Sequence, residues 1–466
     1  MKLALPKGRL LANTAALLER VGLGLTDYNE RSRSYRPKCI RFPDLFLKVF
    51  QEKDIPIQVA IGNYDLGICG LDWVEELLAK YPSGDLVKIK GLGYGRSDLY
   101  VVASSYSGIT SIAELNQKFD RVRIVSEYQN LAEAFALMQR LRRFSILPIW
   151  GAAEVYPPES ADLAVIAEAS VGSLANYDLV PLARIITSRA ILIANRNSLA
   201  KVDMARLLSC FPTPELKLGA EQPLPVITGK RAEIGEKGEI ISLALPDGHQ
   251  QRPAMEFLKK AAINIRGYSE ALETRRPTAE LAGVTVKVIR PQDMPLQVAN
   301  ENFDLAITGE DWLKDHLYRF PSSPVTEILT LGFGKVTIVA VVGEALPAGD
   351  VGSLRDLVRG GLLPSIRVAS EYVNIADRYA RDNHLERYKI VPTWGASEAF
   401  LPEDADLLIE NTETGETLTR HNLRIIDTLF KSSACLIGNR NTLSHPSKRD
   451  KIERIIKIME EPAKRG

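Results

Sequence analysis

Asp406-Leu407-Leu408-Ile409-Glu410-Asn411-Thr412-Glu413-Thr414-Gly415-Glu416-Thr417-Leu418 reads as a strand that breaks into a turn and then opens a helix. Leu407, Leu408 and Ile409 form the short apolar run expected of a strand covered on both faces. Acidic residues follow, and Thr414-Gly415-Glu416-Thr417-Leu418 supplies a glycine and two hydroxyls where the backbone must change direction. Such a turn aims N–H groups and hydroxyls at one point, and the following helix dipole favours an anion there. Carboxylates just upstream are suited to sugar hydroxyls or a hydrated Mg²⁺ beside that anion. A phosphorylated ribose is a ligand that needs both. The bland alternative is an ordinary capped strand-to-helix turn, which the bare T-G-x-T-L pattern does not exclude.

Outward from this stretch, the chain repeats itself. Leu3-Ala4-Leu5-Pro6 recurs as Leu243-Ala244-Leu245-Pro246, and Asp54-Ile55-Pro56 as Asp293-Met294-Pro295, an offset of 293 − 54 = 239. Asp65-Leu66 then matches Asp304-Leu305, Asp72-Trp73 matches Asp311-Trp312, and Leu92-Gly93-Tyr94-Gly95 matches Leu331-Gly332-Phe333-Gly334. After a loop-like insertion around Gly343–Pro347 the offset becomes 371 − 127 = 244. At that offset Ser126-Glu127-Tyr128 matches Ser370-Glu371-Tyr372, Trp150-Gly151-Ala152 matches Trp394-Gly395-Ala396, and Asn195-Arg196-Asn197 matches Asn439-Arg440-Asn441. So many matches in one order mark a tandem duplication of a unit too long for a solenoid repeat.

Within the first copy, strands are expected over Leu45–Phe50, Leu99–Ala103, Val122–Val125, Leu163–Ala167 and Ala190–Ala194. Helical spacing marks Thr14–Val21, Asp72–Lys80 and Leu131–Arg143. Alternating strand and helix predicts an α/β fold with mostly parallel, doubly wound sheets, two small lobes per copy and a cleft between them. The copies are expected over 1–210 and 239–466, joined by a Pro- and Gly-containing linker over 211–238. Ligands in such folds sit where strands end, which is where 410–418 would emerge.

Composition narrows the function. A formal net charge of +1 gives nucleic acid or a membrane surface no electrostatic handle. Cys39, Cys69, Cys210 and Cys435 lack C-x-x-C spacing, and none of the five histidines forms an i,i+4 pair, so neither a disulfide framework nor a zinc site is indicated. Leu3-Ala4-Leu5 ahead of Pro6 is too short for a signal-peptide core, and no apolar run reaches the roughly 20 residues that span a bilayer. A cytoplasmic protein is expected.

The ordered set of motifs resembles the short form of ATP phosphoribosyltransferase, the enzyme that opens histidine biosynthesis. The resemblance runs through Ala4-Leu5-Pro6-Lys7-Gly8-Arg9-Leu10, Glu30-Arg31-Ser32-Arg33, Asp65-Leu66-Gly67-Ile68-Cys69-Gly70 and Gly93-Tyr94-Gly95-Arg96. In the second copy Arg290-Pro291-Gln292-Asp293-Met294-Pro295, Asp304-Leu305-Ala306-Ile307-Thr308-Gly309, Gly395-Ala396-Ser397-Glu398 and the Thr414–Leu418 loop carry it. It implies two copies of a two-lobed unit with a periplasmic-binding-protein-like (type II) fold, ATP and phosphoribosyl pyrophosphate as substrates, and Mg²⁺. It further implies a histidyl-tRNA-synthetase-like regulatory partner and assembly into homo-oligomers.

The two copies fit that resemblance unequally. Glu410 falls over Ile166, and the Thr-Gly-Glu-Thr-Leu loop over Ser170-Val171-Gly172-Ser173-Leu174. Arg290, a guanidinium suited to pyrophosphate, falls over Gln51. Conversely, Lys7 and Arg9 fall over Asp247 and His249. One productive site in the second copy is therefore expected, with Glu410 and Arg290 catalytic. Glu413, Thr414, Gly415, Glu416, Thr417 and Leu418 would hold the phosphoribosyl group, and Glu410 would also take the metal. Lys7, Arg9, Arg31 and Arg33 from the first copy, together with Glu398, are the expected ATP or pyrophosphate contacts. The chemistry would be positioning plus electrostatic stabilisation of departing pyrophosphate, with no covalent nucleophile. The competing reading is a non-catalytic regulatory or small-molecule-binding paralogue. The four tryptophans are expected in the core.

Overall fold

Leu3-Ala4-Leu5 and Leu243-Ala244-Leu245 are almost wholly shielded from solvent, because each run is an interior strand of a sheet, paired on both sides and covered on both faces. The computed structural model describes residues 1–32, 34–82, 84–211, 240–271 and 274–464. The linker expected over 211–238 lies outside them, Phe211 aside, and so does Arg33. The chain forms two units. Unit 1 is Met1–Pro148, Tyr156–Ala232 and Trp394–Ala399; unit 2 is Ile149–Val155, Glu233–Thr393 and Phe400–Gly466.

In unit 1 the strands of the main sheets are β1 (Lys2–Lys7), β2 (Phe46–Gln51), β3 (Leu66–Gly70), β4 (Leu86–Gly91), β5 (Ser97–Ser104), β6 (Val122–Ser126), β7 (Phe144–Pro148), β8 (Leu163–Glu168), β9 (Leu179–Ser188) and β10 (Ala190–Asn195). They make two five-stranded sheets, ordered β2-β1-β3-β10-β4 and β9-β5-β8-β6-β7. β1 pairs parallel with β2 and β3, while β10 runs antiparallel to β3 and β4. β6 likewise pairs parallel with β7 and β8, and β5 lies antiparallel to β8 and β9. The parallel core of each sheet is thus three strands. The chain passes between lobes after β4 and after β9, and those crossings bring in the antiparallel neighbours. Each lobe has its own hydrophobic core.

Unit 2 repeats this with β11 (Ile241–Pro246), β12 (Val284–Ile289), β13 (Leu305–Gly309), β14 (Val325–Thr330), β15 (Val336–Gly343), β16 (Ile366–Ser370), β17 (Tyr388–Pro392), β18 (Leu407–Thr412), β19 (Leu423–Ser432) and β20 (Ala434–Asn439). The sheet orders are β12-β11-β13-β20-β14 and β17-β16-β18-β15-β19. The repeated residues make repeated bonds. Asp65 and Asp304 accept from the backbone N–H of Lys2 and Ser242 at 2.7 and 2.8 Å. Tyr28 and Tyr268 donate to the carbonyls of Pro6 and Pro246 at 2.7 and 2.6 Å. Asn195 and Asn439 each cap a short helix and donate, at 3.0 Å, to the carbonyls of Val59 and Val298 near the ends of the helices Ile55–Ala60 and Met294–Ala299.

The helices that matter below are α1 (Leu11–Arg20), α2 (Ile55–Ala60), α3 (Leu71–Lys80) and α4 (Gln129–Met138) in unit 1, and α5 (Glu310–Arg319), α6 (Val373–Asp382) and α7 (Glu416–Arg420) in unit 2. α1 buries Thr14, Leu17 and Leu18, one stripe at helical spacing, against its sheet. α4 stops at Met138, short of the expected Arg143, because the chain reverses through a left-handed Arg140 to reach β7. Among the described residues no helix is long and apolar enough to cross a membrane.

α3 and α5 begin identically: glycine at the strand end, then an aspartate two residues on. A Cβ built on Gly70 or Gly309 would overlap the carboxylate of Asp72 or Asp311, which folds back over the glycine. Gly309→Ala should therefore lower stability by about 1–3 kcal/mol through forced displacement of that carboxylate. Gly349→Ala, where a Cβ meets open space, should leave the thermal midpoint unchanged. Thermal unfolding of the two variants side by side checks this.

Candidate functional site

The acid-rich loop stands on a strand fixed at its start and open at its end. Arg367 of β16 grips Asp406 with two nitrogens, at 2.8 and 3.1 Å, and so sets where β18 begins. Leu407, Leu408 and Ile409 are fully buried; Glu410, Asn411 and Thr412 are half-buried; Glu413, Thr414, Glu416 and Thr417 are exposed. Gly415 takes φ +78°, a left-handed turn that glycine enters at little cost. Its N–H donates to Thr412 Oγ1 at 2.9 Å, which ties the turn to the strand. Thr414, Gly415, Glu416, Leu418, Thr419 and Arg420 line an open depression of about 660 Å³, shared with Leu423 and Ile425. The segment therefore lies at the surface, where a phosphorylated ligand has access.

In unit 1 the corresponding loop has closed on itself. Ile166 is buried where unit 2 presents Glu410. Ser173 Oγ lies 2.7 Å from both Glu168 Oε2 and the Ser170 carbonyl oxygen, so its single proton is taken by an acceptor within its own turn.

Each unit carries a buried carboxylate where its lobes meet. In unit 2, Asp311 in the first turn of α5 accepts from Tyr372 Oη at 2.5 Å and from Ser432 Oγ at 2.8 Å, and its backbone N–H donates to the same Ser432 Oγ at 3.0 Å. Asn411 Nδ2 donates to Tyr372 Oη at 2.9 Å. Tyr372 lies against Trp312, ring centroids 4.2 Å apart. Burial, then the Asp311 charge, push its phenol well above the usual tyrosine range, so it stays a donor.

Unit 1 repeats the aspartate, tyrosine and serine of this set and adds a cation. Tyr128 Oη donates to Asp72 at 3.0 Å, and Ser188 Oγ accepts from the Asp72 N–H at 3.0 Å. Arg9 donates to Asp72 at 2.6 Å, to Glu52 at 3.2 Å and to Ser97 Oγ at 2.7 Å. Burial opposes the Arg9 charge, but Asp72 and Glu52 outweigh it and hold the guanidinium firmly protonated. Glu52 moves the other way: burial raises its pKa more than Arg9 lowers it, and nearby Asp72 adds to the rise, up to about 7. The direction for Glu52 follows from competition, since the fully buried Asp72 has the shorter bond to the shared cation.

The other expected site residues distribute as follows. Arg290 Nη1 reaches Asp247 Oδ1 at 3.4 Å, with 41 % of its side chain exposed. Arg275 binds the same carboxylate at 3.0 Å and Glu154 at 2.9 Å. In unit 1, Lys7 Nζ donates to Tyr35 Oη at 3.3 Å, and Tyr35 donates to Glu398 at 3.2 Å. Arg31 is exposed, its backbone N–H held by Asn29. Arg33 lies outside the described residues. Trp312 is buried as expected, but Trp394 is 36 % exposed, with Lys53 Nζ 5.3 Å above its ring. Trp394 is therefore no core residue; a cation over an exposed indole face accounts for it better.

Residues missed from sequence are Asp311, Tyr372, Ser432 and Asn411. The signal was present in the repeated Asp-Trp and Ser-Glu-Tyr triplets: Ser126 and Ser370 accept from the N–H of Tyr128 and Tyr372 at 2.8 and 2.9 Å, orienting both tyrosines. For Mg²⁺, no cluster of three or more His, Cys, Asp or Glu is placed to hold a metal among the described residues. A half-buried Glu410 fits the other mode, in which Mg²⁺ rides on substrate phosphates and touches one or two carboxylates.

With this geometry in place, comparison with known proteins is informative. The family model described as ATP phosphoribosyltransferase matches residues 51–211 and 290–461. The two matches begin 290 − 51 = 239 residues apart, the offset of the internal repeat. The ATP phosphoribosyltransferase of Prosthecochloris aestuarii is 30% identical over 224 residues, covering 48% of this chain and 71% of that protein. The one from Sulfurisphaera tokodaii is 32% identical over 223 residues, covering 47% and 72%. Among solved structures, the ATP phosphoribosyl transferase (HisG:HisZ) complex from Thermotoga maritima aligns with 49% of this chain and 100% of that chain, at 21% identity and a TM-score of 0.38.

The Glu52 carboxylate gives a pH test. Its folded pKa of about 7 lies above the unfolded carboxylate value of about 4.3. The associated stability is thus complete below that lower value and is lost as pH rises through 7. Glu52→Gln should consequently gain on the parent as pH rises from 5 to 8, in thermal midpoints measured across that range. A difference independent of pH would contradict the assignment.

Proposed function

The chain belongs to the ATP phosphoribosyltransferase family, and from that premise we propose that unit 2 houses its phosphoribosyl-transfer site. Members are pentosyltransferases that join phosphoribosyl from phosphoribosyl pyrophosphate to N1 of ATP with release of pyrophosphate, the first step of histidine biosynthesis.

The observation that carries the proposal is the contrast at one strand end. Unit 2 offers a half-buried Glu410 and an open Thr-Gly-Glu-Thr-Leu turn, whereas unit 1 offers a buried Ile166 and a serine bonded back to its own loop. In this reading, Thr414, Thr417 and the N–H groups of Glu416 to Leu418 hold the 5-phosphate, Gly415 shapes the turn that aims them, and Glu413 and Glu416 flank it. Holding that phosphate fixes C1 of the ribose in line with the attacking nitrogen, and positioning of this kind is worth roughly 7–11 kcal/mol of barrier. Glu410 holds the ribose hydroxyls and would also hold Mg²⁺. Bound on pyrophosphate, the metal would supply neutralisation of the charge that develops on the leaving group. Arg290 supplies a second positive charge to the same end. The proposal extends to a histidyl-tRNA-synthetase-like partner and to homo-oligomers.

One observation favours the competing reading of a non-catalytic, ligand-binding paralogue. Asp247 stands where unit 1 has Lys7, and it partly neutralises both Arg275 and Arg290. A carboxylate beside pyrophosphate costs affinity unless those two arginines outweigh it.

Glu410→Ala and Thr414→Ala should each cut pyrophosphate release from ATP and phosphoribosyl pyrophosphate by at least about a hundredfold, the scale for losing one preorganised group. Ser170→Ala should retain parental turnover. Equal losses in the two units would overturn the placement. Calorimetric binding of phosphoribosyl pyrophosphate without turnover, with the partner subunit also supplied, would favour the non-catalytic reading.

A further inference from the structure

Unit 2 contains a line of side-chain hydrogen bonds that unit 1 leaves incomplete. It runs from Ser432 on the crossing strand β19, through the Asp311 carboxylate and the Tyr372 hydroxyl, to the Asn411 carboxamide at the end of β18. Unit 1 has counterparts of the first three members in Ser188, Asp72 and Tyr128, with Tyr128 donating to the Asp72 carboxylate and Ser188 Oγ accepting from the Asp72 backbone N–H. At the fourth position it has Ala167, whose methyl cannot donate. The two units thus share a pin between lobes, but only unit 2 has the residue that ties the pin to its loop.

Strand geometry gives that tie a consequence. Successive side chains on a strand point to opposite faces. Asn411 is drawn inward onto Tyr372, so Glu410, its neighbour, is presented on the other face. The same end of β18 is further fixed by the bond from the Asn411 N–H to Glu410 Oε1, at 3.0 Å. Tyr372 suits the role of anchor: it is 1 % exposed, packed at a tilt against Trp312, and held at its backbone by Ser370. Its hydroxyl donates to a carboxylate and accepts from an amide, and bonds in such a chain strengthen one another. Asp311 belongs to one lobe and Tyr372 and Asn411 to the other, so the orientation of the Glu410 edge is coupled to how the lobes of unit 2 meet.

We infer that Tyr372 is a positioning residue for phosphoribosyl binding, acting through Asn411 to fix the Glu410 edge of the 410–418 loop. The inference rests on the reading of that loop as the sugar-phosphate site. Tyr372 touches no substrate in this scheme; its effect is to hold the residue beside the one that does.

The test uses the full chain with Tyr372→Phe, which keeps the ring and removes the hydroxyl. The KM for phosphoribosyl pyrophosphate should rise roughly tenfold, about the loss of one hydrogen bond to a positioned group, and its calorimetric Kd should rise in step. The KM for ATP should change less than twofold. Asn411→Ala should reproduce this selective shift, and the double variant should be no worse than either single one, because both break one line. Tyr128→Phe, which removes the matching buried hydroxyl of unit 1, should leave both KM values unchanged. A shift under twofold in Tyr372→Phe, equal rises in both KM values, or multiplying effects in the double variant would each overturn the inference. Thr414→Ala separates the two levels of argument. If it abolishes phosphoribosyl pyrophosphate binding while Tyr372→Phe does nothing, the positioning role alone fails; if it leaves binding intact, the loop reading fails and the inference with it.

Discussion

Asp72 and Asp311 each carry a carboxylate into the first turn of a helix, over a glycine that leaves room for nothing larger. Burying such a charge is costly unless every lone pair finds a donor. The helix N-terminus offsets part of the cost, a tyrosine from the opposite lobe offsets more, and in unit 2 a serine on the crossing strand adds a further donor. The lobes of each unit are therefore tied at a point where separation would strand a buried charge. The position of the cleft, and of the strand ends that face it, follows from this constraint.

The two units satisfy the constraint by different means, and the difference bears on chemistry. In unit 1, Arg9 adds three bonds, to Asp72, Glu52 and Ser97. A guanidinium so engaged is a structural cation first, because turning it towards a polyanion would leave two buried carboxylates without their partner. Unit 2 holds Gln250 close to Gly309, as unit 1 holds Arg9 close to Gly70, and its Asp311 is satisfied by hydroxyls. Among the described residues no arginine bonds to Asp311. Two cations of unit 2, Arg275 and Arg290, pair instead with Asp247.

Much of this was legible in the residues. The duplication, the alternation of strand and helix, and the unequal loops follow from repeat matches and periodicity, which report local structure and burial. The strands expected at Leu99–Ala103 and Val122–Val125 are the central parts of β5 and β6. Side-chain partners were not legible in the same way. Arg9 reads as a substrate cation in a list of motifs, yet its bonds go to residues 43, 63 and 88 positions away, which no spacing rule connects. Nor does any local pattern indicate that Ile149–Val155 groups with unit 2 and Trp394–Ala399 with unit 1. Tyr372 stood within a recognised repeat, but a match in both copies speaks for packing in both; its link to the loop exists only through Asn411, where the copies differ.

That pattern also accounts for how the copies diverged. Residues matching between them, such as Asp65 with Asp304 and Tyr28 with Tyr268, satisfy buried groups, and losing one would cost stability in either unit. The differing pairs that bear on the loop, Ile166 with Glu410 and Ala167 with Asn411, sit near the end of one strand. Replacing a half-buried carboxylate by isoleucine at 166 removes a desolvation cost and adds apolar burial of roughly 1.5–3 kcal/mol. Active-site groups are commonly held against stability, so a unit released from turnover is expected to drift in this direction. With the transfer site placed in unit 2 as proposed, Ile166, the closed Ser173 turn and the Arg9 network of unit 1 would follow that direction. Glu410, Asn411 and the exposed Thr414 turn do not, and their retention in unit 2 is hard to attribute to folding.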